Sequence, residues 1–364
     1  MSRNEELLEK IKKDYHEVNL VVPWSLAAGI SFFIIFSYFI WVIEFDIFRN
    51  PQIVTDDGLR YGLLVVAFLL AVEMTRIFNR MIAGYINKKY QARFHHIKEM
   101  NSYYEARETV FFTEKKYDHV VLILHGFSAS PQEFQFLTPY LEKNGINYYT
   151  PNLAGFGLDN TTLLNKTKRQ DWYRNSLLQY DALSKLANKV SVVGHSMGGI
   201  LAAYIAANRS VHQLILTAPG FYPIESHLIH KKLLTTPIIS SIYTILIPYV
   251  PKALRKERGH VSDTLDAEVV KQMFHYLAVP LTSAREVFLM QDEAHLNKMR
   301  FDNLSIIYGR HEQTINMEKL FKALDMYNVK YKSYCMENSA HNILEDFDRD
   351  ECCQLVTDIL LGNK

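Results

Sequence analysis

The sequence predicts an α/β protein: a mostly parallel central sheet with helices on both faces and a helical cap, preceded by an N-terminal pair of membrane-crossing helices. Three observations lead there. Aliphatic runs at 120–124, 190–193, 211–217 and 304–308 have the length and β-branched content of strands buried on both faces. The second of these runs passes through Gly194-His195-Ser196-Met197-Gly198 directly into a helix-forming stretch. Finally, residues Leu20 to Ile43 carry no charge at all.

From the N-terminus, Leu20 to Ile43 is long enough at about 1.5 Å per residue to cross a hydrocarbon layer of roughly 30 Å. It is too long for a signal peptide, and the segment before it carries as much acid as base. A second span is predicted at 61–83, where an apolar run from Gly62 to Val72 meets Glu73, Arg76 and Arg80. Crossing a membrane requires Glu73 to pair with Arg76 on the same helix face and the arginines to reach the interface. An interfacial helix is the alternative. A short connector with Pro51 and Gly58 would join the two. Basic residues crowd the outer flanks (Arg3, Lys10, Lys12, Lys13; then Arg76, Arg80, Lys88, Lys89, Arg93 and Lys98), whereas the connector has only Arg49 and Arg60. Positive flanks face the cytoplasm, so the chain is expected to be an integral membrane protein with both termini and the large domain on the cytoplasmic side. Residues 1–100 thus form a membrane module with Tyr90 to Glu105 as a polar, helix-compatible junction, and 101–364 a second domain.

Within that domain, Val120 to Leu124 ends in His125-Gly126-Phe127-Ser128, a strand end followed by a glycine turn. His125 reads as a structural histidine. The run Val190 to Val193 leads to Ser196 on a glycine-flanked turn, the arrangement of a nucleophile elbow, with a helix after it whose N-terminal amides point at the same spot. The amides of Phe127 and Met197 are the candidate oxyanion donors. Between Val211–Thr217 and the next strand lies far more chain than one helix needs, and the excess, about 221–295, is the cap. Its stretch Pro237 to Val250 is strongly apolar. Two placements are open for that greasy face: lining an acyl pocket over Ser196, or burial against the cap's own helices such as Ala267 to Phe274.

Leu304 to Tyr308 is followed by Gly309-Arg310-His311-Glu312, and Glu312 stands where this topology presents an acid. A surface pair with Arg310 is the competing role; Asp302 and Asp292 precede the strand and are poorer candidates. After a last strand at Val329 to Met336, His341 sits on the loop before the final helix, where a base is needed. Serine, acid and histidine thus occur in the order Ser196, Glu312, His341.

His125-Gly126-Phe127, Asp171-Trp172, Gly194 to Gly199, Gly309 to Glu312, and His341-Asn342 with Glu345 together resemble the serine-hydrolase branch of the α/β-hydrolase superfamily. That branch includes monoacylglycerol lipases, bacterial carboxylesterases and lysophospholipases. The resemblance covers about residues 105 to 362 and implies the α/β-hydrolase fold. One departure stands out, since the family usually has aspartate where this chain has Glu312.

The function so implied is a membrane-anchored serine hydrolase cleaving carboxylic esters of lipids, of monoacylglycerol or lysophospholipid type. It would act through Ser196, His341 and Glu312 and an acyl-enzyme. A thioesterase or protein deacylase with the same triad remains open, as does a membrane scaffold that keeps the fold without catalysis. No metal or organic cofactor is called for, because none of the 14 histidines or 3 cysteines shows ligand spacing. A formal net charge of +1 argues against a nucleic-acid partner. The basic cluster at 76–98 suits anionic membrane lipid headgroups instead. Cys335 and the adjacent Cys352-Cys353 make no disulfide framework, and oligomeric state leaves no trace in the sequence.

Overall fold

A computed structural model describes residues 24–42, 57–98, 109–112, 117–158, 160–251, 262–270 and 272–364. Both ends of the first predicted span, Pro51 of the connector and residues 99–105 of the junction lie outside them. Two helices come first, α1 (Trp24–Trp41) and α2 (Asp57–Lys98). Among the described residues one helix, over Tyr61–Lys89, is long and apolar enough to cross a membrane. The rings of Phe32 and Phe36 on α1 meet Phe68 of α2 edge-on, at centroid distances of 5.8 and 5.7 Å. Arg76 pairs with Glu73 at 2.5 Å, the internal neutralisation a span requires. One expectation needs correcting: Gly58 belongs to α2 rather than to a connector. Helix α2 runs past residue 83 without a break, into the helix-compatible start of the junction. The extension holds because Ala83 and Ile86 are buried against Tyr249, Leu277 and Ala278 of the large domain, so tertiary packing supports the helix beyond its apolar stretch.

The large domain begins with β1 (Thr109–Phe111), β2 (Tyr117–Leu124), α3 (Leu137–Lys143), β3 (Asn147–Thr150), α4 (Thr162–Lys166) and α5 (Arg169–Ser184). It continues with β4 (Ala187–His195), α6 (Met197–Asn208) and β5 (Ser210–Thr217). Between β5 and the next sheet strand come α7 (Glu225–Thr235), α8 (Pro237–Leu246), β6 (Tyr249–Pro251), α9 (Ala267–Val270), β7 (Ala278–Pro280) and α10 (Leu281–Asp292). The chain closes with β8 (Arg300–Gly309), α11 (Met317–Met326), β9 (Lys332–Met336) and α12 (Arg349–Leu360).

The seven-stranded sheet has the order β1-β3-β2-β4-β5-β8-β9. Only β1 pairs antiparallel, with β3. All other neighbours are parallel. Successive side chains of a strand face opposite sides, and the aliphatic runs exist because both sides are covered. On β2, Val120, Leu122 and Leu124 join the core under α5, α6 and α11, while Val121 and Ile123 join the one under α3 and α12. Leu214 and Leu216 of β5 divide from Ile215 in the same way.

This layering brings the carboxyl ends of β2, β4, β5 and β8 to one edge, with the loops that follow them. The turn from β4 into α6 is tight enough that an added Cβ on Gly198 would overlap the Leu124 carbonyl oxygen, and one on Gly194 would overlap that of Gly198. Relief needs movement of backbone, not of a flexible side chain. Gly198→Ala is therefore expected to lower unfolding free energy by about 3 kcal/mol, the upper end of ordinary overpacking costs. The urea midpoint measures this; a shift within the error of the wild-type value would show that α6 slides freely on β2.

The segment between β5 and β8 departs from expectation in two places. Helix α9 ends at Val270 rather than continuing to Phe274. Instead of closing helical bonds, the Phe274 amide donates to Gln132 Oε1 at 2.7 Å and the Tyr276 amide to the Ser128 carbonyl at 3.0 Å. Of the apolar stretch Pro237 to Val250, Tyr249 packs against Val269, Val270, Met273 and Phe274, but the isoleucines of α8 take neither anticipated placement. Ile238, Ile242 and Ile245 point outward, 77, 55 and 46% exposed, on a helix packed beside α2 and α7. The base of the segment is tied down by Arg169 at the start of α5, which bonds Glu286 on α10 at 2.8 Å and Glu293 just after that helix at 2.7 Å.

Candidate active site

Ser196 stands between the end of β4 and the first turn of α6, in a left-handed conformation with φ of 51°. A non-glycine residue held at positive φ costs of order 1–3 kcal/mol and persists only where its surroundings impose it. Here the Ser196 amide donates to the Thr217 carbonyl at 3.0 Å, while its carbonyl accepts from Gly199 at 3.0 Å and Gly220 at 2.9 Å. The side chain is thereby lifted off the sheet toward the loops.

His341 lies on the loop after β9, where its amide donates to the Asp263 carbonyl at 3.1 Å. Its Nε2 is 2.8 Å from Ser196 Oγ and its Nδ1 2.7 Å from Glu312 Oε2. A carboxylate only accepts, so Nδ1 carries the proton and Nε2 accepts from the serine hydroxyl. Glu312 is fixed in turn, because its Oε1 accepts the amides of Thr314 at 2.7 Å and Ile315 at 3.2 Å. The competing pair with Arg310 does not form. Arg310 binds Glu337 on the surface at 2.6 Å, while the Glu312 and His341 side chains are each 6% exposed. Asp302 and Asp292 point elsewhere, to His212 and Lys231.

Burial alone would push the His341 imidazole down. The charge and hydrogen bond of Glu312, with Asp263 and Glu133 farther off, outweigh it and hold the imidazole above its ordinary value. The other two histidines nearby behave oppositely. Burial pushes His125 down to about 4. Its Nδ1 donates to the Gly126 carbonyl at 2.9 Å and its Nε2 accepts from Leu153 at 3.1 Å. That is the structural role expected of it. His195 is also pushed down by burial, against the opposing charge of Glu133.

Phe127 is the third residue after β2 and lines the cavity over Ser196. Met197 is the first residue of α6, so its amide is one of the donors a helix N-terminus leaves without an intrahelical partner. The cavity encloses about 180 Å³. Its wall contains residues that sequence reasoning passed over. Glu133, 6% exposed, accepts the Gly126 amide at 2.8 Å and so fixes the turn after β2. Its one visible signal was the spacing Ser130-x-x-Glu133, that of a capping box, though the carboxylate reaches Gly126 instead. Asp263 accepts from the Thr314 hydroxyl at 2.6 Å, and nothing in its local sequence marks it. Trp172, from the Asp171-Trp172 pair, is fully buried, stacks on Phe156 at 5.7 Å and donates its indole N–H to Ala154.

Known proteins similar to this chain indicate its family and fold. A family model described as "Serine aminopeptidase, S33" matches residues 115–348. A carboxylesterase of Bacillus subtilis is 23% identical over 255 residues, 68% of this chain and 95% of its own length. A thermostable monoacylglycerol lipase of a Bacillus species is 31% identical over a shorter stretch, 24% of this chain and 34% of its own. A soluble variant of monoglyceride lipase from Saccharomyces cerevisiae superposes with a TM-score of 0.57 at 15% identity, over 70% of this chain and 90% of that one, a likeness of fold. With the family model spanning most of the large domain and the elbow, sheet order and loops in place, the chain belongs to the S33 family of α/β-hydrolase-fold serine hydrolases.

Proposed function

We propose that this protein is a membrane-anchored hydrolase that cleaves carboxylic esters of amphiphilic acyl chains, of monoacylglycerol or lysophospholipid type, with Ser196 as nucleophile. The observation that carries the reading is the continuous relay from Ser196 Oγ through His341 to Glu312, at 2.8 and 2.7 Å. His341 takes the hydroxyl proton as Oγ attacks the ester carbonyl, and Glu312 stabilises the imidazolium that forms. The amides of Phe127 and Met197 receive the developing oxyanion, each donor contributing about 3 kcal/mol in the transition state. His341 then protonates the departing alcohol. Water, deprotonated by the same imidazole, releases the acid from the acyl-enzyme.

In this reading the cap spans about 221–295. The cavity of about 180 Å³ lies below the roughly 300 Å³ at which pockets enclose whole ligands. It takes the ester group and the first carbons, and leaves the rest of a long chain outside. The outward isoleucines of α8 beside α2 supply an apolar surface there, and α2 provides the anchor. Arg76, Arg80, Lys88 and Lys89 at the large-domain end of α2 favour the cytoplasmic side. The carboxylates that line the cavity already have partners, Glu133 with Gly126, Asp263 with Thr314 and Glu345 with Gln135.

The test is a substrate panel given to the detergent-purified full chain: p-nitrophenyl acetate, butyrate and decanoate, one monoacylglycerol, an acyl thioester and an amino-acid p-nitroanilide. Turnover of the esters, with kcat/KM rising from acetate to decanoate, is the expected result. Faster turnover of the thioester or the anilide would replace the ester reading. A folded protein that turns over none of them would be a scaffold.

A further inference from the structure

Helix α2 carries two buried asparagines, Asn79 and Asn87, each 3% exposed. They lie eight residues apart, about 12 Å along the axis. A buried amide must find partners for both its donor and acceptor atoms. These do so on the backbone of the β6–β7 ribbon, as a neighbouring strand would. Asn79 Oδ1 accepts the Tyr249 amide at 2.9 Å and its Nδ2 donates to the Tyr249 carbonyl at 3.3 Å. Asn87 Oδ1 accepts the amides of Leu277 at 2.9 Å and Ala278 at 3.0 Å, and its Nδ2 donates to the Ala278 carbonyl at 2.8 Å. Two paired amides set both the axial position and the rotation of α2 against the ribbon.

The residues immediately before Leu277 matter for chemistry. Met273, Phe274 and His275 line the cavity that contains Ser196 and His341. This short wall is held at two edges. On the inner edge, Gln132 Oε1 accepts the Phe274 amide at 2.7 Å, Gln132 Nε2 donates to the Gln272 carbonyl at 3.1 Å, and the Tyr276 amide reaches Ser128 at 3.0 Å. Gln132 and Ser128 belong to the loop after β2 that also carries Phe127. On the outer edge the grip comes from Asn87. The wall is therefore strapped between the loop of the proposed oxyanion donor and the helix proposed to enter the membrane.

We propose that Asn79 and Asn87 are positioning residues of the acyl site, through which α2 sets the cavity wall at Met273–His275. This rests on the ester-hydrolase reading above. It adds that the anchor is a structural part of the substrate site, and that the wall is fixed to it rather than carried on a freely hinged lid. Releasing the outer edge loosens the surface against which the acyl chain lies. The relay of Ser196, His341 and Glu312 is built from other elements and stays in place.

KM and kcat for p-nitrophenyl acetate and decanoate are to be measured on the full chain in detergent micelles, for wild type, Asn87→Ala, Asn79→Ala and Thr75→Ala. Thr75 is buried on the same helix, and its hydroxyl bonds the Ala71 carbonyl of its own helix at 2.8 Å. Loss of uniform binding without loss of chemistry predicts that Asn87→Ala raises the decanoate KM about tenfold with both kcat values within about twofold of wild type. Asn79→Ala, one step farther from the wall, raises the decanoate KM about threefold, and Thr75→Ala leaves it within twofold. A parallel fall of kcat on both esters would mean general destabilisation and overturn the inference, as would unchanged decanoate kinetics in Asn87→Ala. Should Asn87→Ala lose its cooperative thermal transition, Asn79→Ala decides alone: an unchanged decanoate KM overturns the inference. Each of these failures leaves an active wild-type esterase behind; wild-type protein inactive on every ester removes the hydrolase reading and this inference together.

Discussion

Ser196→Ala is expected to lower kcat for p-nitrophenyl butyrate by about 10⁵- to 10⁶-fold, because removing the nucleophile of a serine relay costs nearly as much as removing all its members. The size follows from where Ser196 sits. Its hydroxyl is the group facing His341 Nε2 at 2.8 Å, so without it the imidazole has no bound nucleophile to deprotonate. The remaining rate would come from the Phe127 and Met197 amides and from binding alone, about 10³-fold over water. The substitution removes one oxygen and leaves the glycine turn untouched, so the thermal transition should persist and the loss be chemical. Residual activity above about 1% of wild type would place the nucleophile elsewhere, far outside what a residual oxyanion site supplies.

Glu312→Gln has the second largest expected effect, a loss of about 10³- to 10⁴-fold in kcat, the scale seen when an orienting acid becomes an amide. Glutamine keeps the size of the side chain and can still accept the Thr314 and Ile315 amides through its oxygen. Doing so turns its NH₂ toward His341 Nδ1, which selects the tautomer with a proton on Nε2, unable to accept from Ser196. The pH profile changes in a defined direction. In the wild type His341 titrates above the ordinary imidazole value because Glu312 outweighs burial, and kcat/KM should fall as pH drops through that raised value. Removing the charge leaves burial as the largest influence, so the acid limb of the residual activity moves to lower pH. An acid limb that stays in place in Glu312→Gln would show that another group sets it.

The same raised value has a consequence for stability. Folded His341 holds its proton more tightly than the unfolded chain, so protonation favours the fold. That contribution is complete below the unfolded value of about 6.5 and is lost as pH rises through the folded one. The protein is thus helped most by His341 where the imidazole is charged and cannot act as a base.

Much of the fold is legible in the sequence. The strands at 120–124, 190–193, 211–217 and 304–308 could be read because burial on both faces enriches a strand in aliphatic residues, without a break at 120–124 and with a few polar interruptions in the others. The elbow at Ser196 could be read because close approach of α6 to β2 admits only glycine at 198, and the tight turn of α6 back against β4 only glycine at 194. Other elements resisted. Helix α9 stops at Val270 although the sequence through Phe274 suits a helix; the Gln272 and Met273 amides make only turn bonds to Val269 and Val270, and those of Phe274 and Tyr276 go to Gln132 and Ser128. The continuation of α2 beyond residue 83 depends on Tyr249 and Leu277, more than 160 residues away in sequence.

The sequence by itself determined the α/β architecture, the order of serine, acid and histidine, and the presence of an apolar helix ahead of the catalytic-type domain. Each is a matter of local period or spacing, imposed by burial and backbone sterics on neighbours in the chain. Only the tertiary structure decided that Glu312 turns inward to His341 while Arg310 goes to Glu337, and that Glu133 braces the turn at Gly126. It alone showed the isoleucines of α8 facing outward and two asparagines of α2 gripping the cavity wall. A polar group in a protein takes whichever partner the fold delivers to it, and that partner is set by the meeting of segments far apart in sequence.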